Sequence, residues 1–193
     1  MTRLRRTLSR VREAMSFKTL WQGKFISVIS PENIPYEAVH EGDGVIILPI
    51  WEKQGRLLIG IRSEYCPPYM VKTGVEENWL TVMSGMREEG ESEEQAALRE
   101  LKEESGVEPI NPDVRVNLSL IPVFKSSTYR ASVVTVAFGE ATESPASGDG
   151  SKSEAKSKTL WIPREELEDR LRGEQKDLLV IFLWLLVRDY DKA

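Results

Sequence analysis

Residues 85–107 read GMREEGESEEQAALRELKEESGV, and this stretch decides the fold. Ser92 followed three residues later by Gln95 is a capping box, in which each side chain satisfies a free backbone amide at the other. A helix is therefore predicted over 93–105, and Gly106 closes it as a C-cap. Within that helix Glu100, Glu103 and Glu104 stand at i, i+3 and i+4, spacings that share one face. Leu98 and Leu101 point away from that face and anchor the helix to a sheet. Carboxylates so close repel one another, and a hard divalent cation with all-oxygen ligands, Mg2+ or Mn2+, would compensate them. A solvated acidic face is the competing reading. Gly85, at the end of a short strand, is expected to let the chain turn sharply into the loop that precedes the helix.

Outward from the helix, a strand is expected at Leu80–Met83 directly before Gly85. Residues 45–50 (VIILPI) and 57–61 (LLIGI) read as two strands joined by a hairpin-like connection from Trp51 to Arg56. Another strand is expected at 25–29, closed by Pro31 and Pro35. Beyond the helix, strands are expected at about 114–124, 132–138 and 159–162, the second rich in β-branched residues. Pro163 opens a helix that Gly173 stops. The final helix, about 175–190, is apolar through its middle and is expected in the core or at a dimer contact. Residues 141–158, with five serines and two glycines, read as a mobile loop. Strands and helices are mixed and no internal repeat is present, so the fold class is α/β (α+β), with a small N-terminal strand appendage. The domain reading is 1–40 for that appendage and extension and 41–193 for the main domain.

The chain has 193 residues with 26 basic and 31 acidic side chains, a net charge of −5. Residues 85–107 hold eight glutamates and three basic residues, so everything outside them balances at 23 of each sign. A local acidic excess suits a cation site and, with no broad basic face, argues against a nucleic-acid partner. Five arginines in residues 1–15 leave a targeting segment, a nucleic-acid arm or a plain terminal extension open. The single cysteine, Cys66, excludes an intrachain disulfide, and the single histidine, His40, removes His-based catalysis. The longest apolar run, 178–187, has ten residues and is too short to span a membrane. No membrane partner and a cytoplasmic location are expected.

The spacing Gly85-x5-Glu91-x7-Arg99-Glu100-Leu101-x-Glu103-Glu104-x-Gly106-Val107 matches the Nudix box at every position. The chain thus resembles the Nudix hydrolases, which cleave nucleoside diphosphates linked to another moiety. The resemblance implies an α/β/α sandwich and Mg2+-dependent hydrolysis, with Gly85, Glu100, Glu103 and Glu104 as metal ligands. It also implies that Glu91 and Arg99 pair to fix the loop against the helix. For the general base it leaves Glu103 or Glu104 within the box, or a glutamate on a late loop. Glu154 fits the latter, with Glu143 and Asp149 as competitors.

The opening strands, from Trp21-Gln22-Gly23-Lys24-Phe25 to Val45-Ile46-Ile47-Leu48-Pro49-Ile50, are similar to those of the ADP-ribose pyrophosphatase branch. That branch commonly exchanges these strands between subunits, which implies a homodimer. Its Gln-Tyr-Arg-Pro-Pro appears here as Glu64-Tyr65-Cys66-Pro67-Pro68, losing an arginine that would grip a phosphate. The expected substrate is a small-molecule nucleotide, a nucleotide sugar such as ADP-ribose, with Arg62, Tyr65 and Trp79 as candidate substrate contacts. Trp51 and Tyr69 are further aromatic candidates for stacking on a base, against core packing. The alternative function is a Nudix-fold module that senses a nucleotide without cleaving it.

Overall fold

The structure, a computed structural model, describes residues 17–23, 26–31, 37–65, 71, 74, 76–123, 127–147, 156–173, 176–188 and 190. The chain divides into two compact units, Met1–Asp43 with Leu120–Ala131, and Gly44–Ser119 with Ser132–Ala193. In the first, β1 (Phe17–Gln22), β2 (Ser27–Pro31) and β3 (Ala38–His40) form an antiparallel sheet in that order. The sequence reading anticipated β2, two residues out of place, and missed β1. Every residue of β1 is exposed, so it carries no alternation of buried and solvated positions to detect. His40 is exposed and its Nδ1 lies 2.9 Å from the Thr128 hydroxyl, which also donates to the Glu41 carbonyl.

The second unit is built on a seven-stranded sheet. Its main path runs β12 (Lys158–Pro163), β5 (Arg56–Tyr65), β4 (Gly44–Lys53), β10 (Arg130–Phe138), β9 (Asp113–Pro122), the last two strands reaching into the first unit's residues. Strand β6 (Asn78–Thr81) pairs with β5, and β7 (Met83–Met86) pairs with β4. The single strand expected at 80–83 is thus two, because the chain passes from one partner to the next at Val82. The β4–β5 hairpin closes tightly at Gln54 and Gly55, both at positive φ (55° and 75°), the pattern of a type I′ turn. The strands therefore run through Trp51–Lys53 and Arg56, and the connection is shorter than the expected Trp51–Arg56. A separate ladder joins β8 (Val107–Ile110) to β11 (Glu140–Glu143). Residues 141–143, the first of the serine-rich segment, are therefore ordered by a partner more than thirty residues away in the chain.

Period-two alternation explains how the sheet holds helices. Val45, Ile47 and Trp51 of β4 join one buried cluster with Ala96, Ala97 and Leu101 of helix α1 (Glu93–Ser105). Their neighbours Ile46, Leu48 and Ile50 are equally buried on the other face, beside Ile59, to which Ile50 is paired. Helices α2 (Arg164–Gly173) and α3 (Leu178–Arg188), none of whose buried residues joins the α1 cluster, pack against β5, β12 and β6. This is the α+β layering expected from the sequence.

Helix α3 enters the core along one stripe only. Val180, Leu183 and Val187 are buried, whereas Leu178, Ile181 and Leu185 are exposed. Among the described residues no helix is long and apolar enough to cross a membrane.

Candidate active site

Helix α1 forms for local reasons. The Ser92 side chain accepts from the Gln95 amide and the Gln95 side chain accepts from the Ser92 amide. At the other end Gly106 adopts φ 72°, and a Cβ there would lie 1.8 Å from the Ser144 carbonyl oxygen, so no other residue fits this close approach. Ala96, Ala97 and Leu101 bury one stripe of the helix against the sheet.

Arg99 organises the loop and the exposed arc of the helix. Its Nε and Nη2 donate to the two oxygens of Glu91 at 2.9 and 3.0 Å, a bidentate grip. Nη2 also donates to the Met86 carbonyl at 2.8 Å, and Nη1 donates to Glu100 at 2.6 Å and to Glu103 at 3.2 Å. Glu91 in turn accepts from the Glu88 amide, which ties the loop to itself. The Arg99 hydrogen bonds hold the Glu91 carboxyl below the ordinary carboxylate range. At Glu100 burial wins instead, and its carboxyl is pushed up although Arg99 pulls the other way. A buried carboxylate left under-neutralised by its own arginine is one that further positive charge would stabilise.

Gly85 does not make the turn the sequence suggested. It lies inside β7, paired with Val45, and has no positive φ. Its missing side chain matters for another reason: a Cβ there would sit 1.9 Å from Cδ and Oε1 of Glu100. The bare glycine is the floor on which the Glu100 carboxylate rests.

The three helix carboxylates divide. Positions 103 and 104 differ by about 100° around the helix axis, enough to put Glu103 beside Arg99 and Glu104 beside the buried stripe. The Glu103 side chain is 41% exposed. Glu104 is only 9% exposed, with Oε2 3.7 Å from Nε of Arg62. Arg62, read from sequence as a substrate contact, is itself 4% exposed, and its Nη1 donates to the Glu104 carbonyl at 2.9 Å. Among the described residues no three Asp, Glu, His or Cys side chains stand together as a ready-made ligand set. Arginines occupy the counter-charge positions.

The remaining candidates are scattered. In the β5–β6 register Glu64 faces Trp79 and Tyr65 faces Asn78, so Tyr65 and Trp79 project from opposite faces of the sheet and do not form one stacking platform. Trp79 shares the face of Arg62, while the Lys156 ammonium lies over the Tyr65 ring at 4.8 Å. Trp51 is a core residue, stacked on Phe138 and edge-on to Trp161. Glu143 is on β11 and pairs with Lys53 at 2.8 Å. Glu154, Asp149, Cys66, Tyr69 and residues 1–15 lie outside the described residues. Sequence reasoning missed two supports of the site. Thr159 donates to the Glu104 carbonyl, and Glu93 lies 3.4 Å from the hydroxyls of Ser119 and Ser132. Neither belongs to a spacing pattern that would have singled it out.

The sequence model of the NUDIX domain matches residues 40–182 of the chain. Among solved structures, a crystal structure of an ADP compounds hydrolase superposes with a TM-score of 0.62 at 22% identity. The match covers 92% of this chain and 94% of that one, and establishes likeness of fold. No curated protein matches the chain by sequence.

Proposed function

The chain belongs to the Nudix family of hydrolases, and from that premise we propose that it cleaves the pyrophosphate bond of a nucleoside diphosphate linked to another moiety. The observation that carries this reading is Glu100 resting on Gly85 with Glu103 beside it, both on one guanidinium. The donors are all oxygen, one is buried and short of positive charge, and its neighbour opens to solvent, a set that fits a hard divalent cation, Mg2+ or Mn2+. Glu100, Glu103 and Glu104, with the Gly85 backbone, would hold it. Bound there, such a cation supplies screening of phosphate oxygens and a lowered pKa for an attacking water.

The protein's own part is positioning. Arg99 and Glu91 lock the loop to the helix, so the carboxylates are presented from a frame anchored by Leu101. Glu103, the most open of the three, is the general base favoured by exposure, with Glu104 and Glu154 as the other candidates. Trp79, half-buried opposite Glu64 on the face that Arg62 shares, is the favoured surface for a base, with Tyr65 on the opposite face for a more distant moiety. The likeness to an ADP compounds hydrolase supports a nucleotide sugar such as ADP-ribose as substrate. Exposed Phe17, Leu20 and Trp21 on β1 support a homodimer formed through the 1–40 appendage, with 41–193 as the catalytic domain. A sensing module without turnover is the rival, and the complete set of box carboxylates weighs against it.

The test is a panel of nucleotide sugars and dinucleotides incubated with Mg2+ and resolved by chromatography. AMP and ribose 5-phosphate from ADP-ribose are the expected products. Binding without any cleavage across the panel would favour the sensor.

A further inference from the structure

We propose that Arg62, which lies outside the box on β5, is the positioning residue and resident counter-cation of Glu104, and that this buried pair limits how tightly the site takes a divalent cation. The inference rests on the reading of Glu104 as a ligand. The last turn of α1 presents carbonyls that lack partners within the helix. The Lys102 carbonyl accepts from the Gly106 amide at 2.8 Å, and Glu103 from the Ser147 amide at 3.1 Å. The Glu104 carbonyl receives two side-chain donors, Nη1 of Arg62 and the Thr159 hydroxyl, each at 2.9 Å. Thr159 on β12 is paired with Arg62 on β5, so both reach the helix end from adjacent strands on one face. A cap needs only one of them.

What Arg62 adds is charge. Arg62 is 4% exposed, and burying a cation is costly unless an anion compensates it. Glu104, 9% exposed and 3.7 Å from Nε, is that anion. Arg99 meanwhile serves Glu91, Glu100 and Glu103. Glu100, Glu103 and Glu104 are therefore divided between two arginines, and a cation entering at Glu104 meets a positive charge already in place. Removing that charge leaves the site one unit more negative, in surroundings where charges are poorly screened.

The test titrates Mn2+ alone into the metal-free full-length protein and reads free Mn2+ by electron paramagnetic resonance. Arg62→Met should bind Mn2+ at least about tenfold more tightly than wild type. Arg62→Lys, which keeps the charge, should restore wild-type affinity. Thr159→Val, which removes the other donor to the same carbonyl, should leave affinity within about twofold, since no charge changes. Affinity in Arg62→Met equal to or weaker than wild type overturns the proposal. Thermal unfolding supplies the second arm and covers a poorly folding Arg62→Met. Arg62→Met/Glu104→Met should regain the melting temperature lost in Arg62→Met, because the buried carboxylate that faced Arg62 is gone. No recovery means that Arg62 is only a cap, and overturns the pairing. Glu104→Gln separates the two layers: unchanged Mn2+ affinity there refutes Glu104 as a ligand, while recovery in the double variant still decides the pair.

Discussion

Replacing Gly85 by alanine puts the geometry of the site to a quantitative test. The new Cβ would lie 1.9 Å from the Glu100 carboxyl carbon, against a normal carbon–carbon contact of about 3.5–4 Å. Glu100 is the far end of a flexible side chain, so it moves, by about 2 Å, and the backbone stays. The hydrogen bond from Arg99 at 2.6 Å is then lost. A charge-assisted bond contributes about 1.5–3 kcal/mol, offset by about 0.4–1 kcal/mol from a less flexible unfolded chain. The burial penalty on the Glu100 carboxylate is relieved at the same time, so the net destabilisation should stay near 1 kcal/mol. Function should suffer far more. A carboxylate displaced by more than about 1 Å costs on the order of a hundredfold in rate. The assay pairs thermal unfolding with kcat on ADP-ribose and Mg2+, for Gly85→Ala, Glu100→Ala and the double variant. The stability cost of Gly85→Ala should vanish in the Glu100→Ala background, since the atom it strikes is absent. Equal costs in both backgrounds, or wild-type turnover in Gly85→Ala, would refute the reasoning.

Other consequences can be checked with the same preparations. Glu100→Gln should match or exceed wild-type stability at pH 8. A carboxyl with a raised folded pKa loses stability as pH rises from its unfolded toward its folded value, and glutamine removes that loss while turnover falls. Glu91 has the opposite sign: its contribution is full above the ordinary value of 4.5 and is lost as pH falls through its lowered folded pKa. Glu91→Gln should therefore lower the melting temperature at pH 7 and flatten its decline between pH 5 and 3. Leu101→Ala should destabilise by about 2–5 kcal/mol, because the side chain is fully buried where α1 meets the sheet.

What was legible in the sequence was local. Ser92, Gln95 and Gly106 delimit α1 through contacts within four residues, and the expected 93–105 is the helix observed. Strands with buried faces, such as β4, β5 and β10, announce themselves by composition. Strands β1, β8 and β11 do not: they are short or solvated, and partners elsewhere in the chain make them. The site divides along the same line. Arg99, Glu100 and Glu103 meet because helical spacing and one capped turn bring them together, whereas Arg62 and Thr159 reach Glu104 only through sheet pairing across 97 residues. Gly85 was legible as a special position, but its reason, the carboxylate resting on it, is a tertiary contact that no local pattern encodes.

The most direct measurement is hydrolysis of ADP-ribose and related nucleoside diphosphate compounds by wild type, Glu103→Gln and Glu104→Gln, with Mg2+ and then Mn2+, on protein verified as folded. Wild type should release a nucleoside monophosphate, and both variants should lose at least about a hundredfold in kcat, Glu103→Gln with little change in melting temperature and Glu104→Gln with a lowered one because Arg62 loses its anion. A folded wild type that cleaves no phosphoanhydride with either cation, or variants that turn over at its rate, would contradict the account.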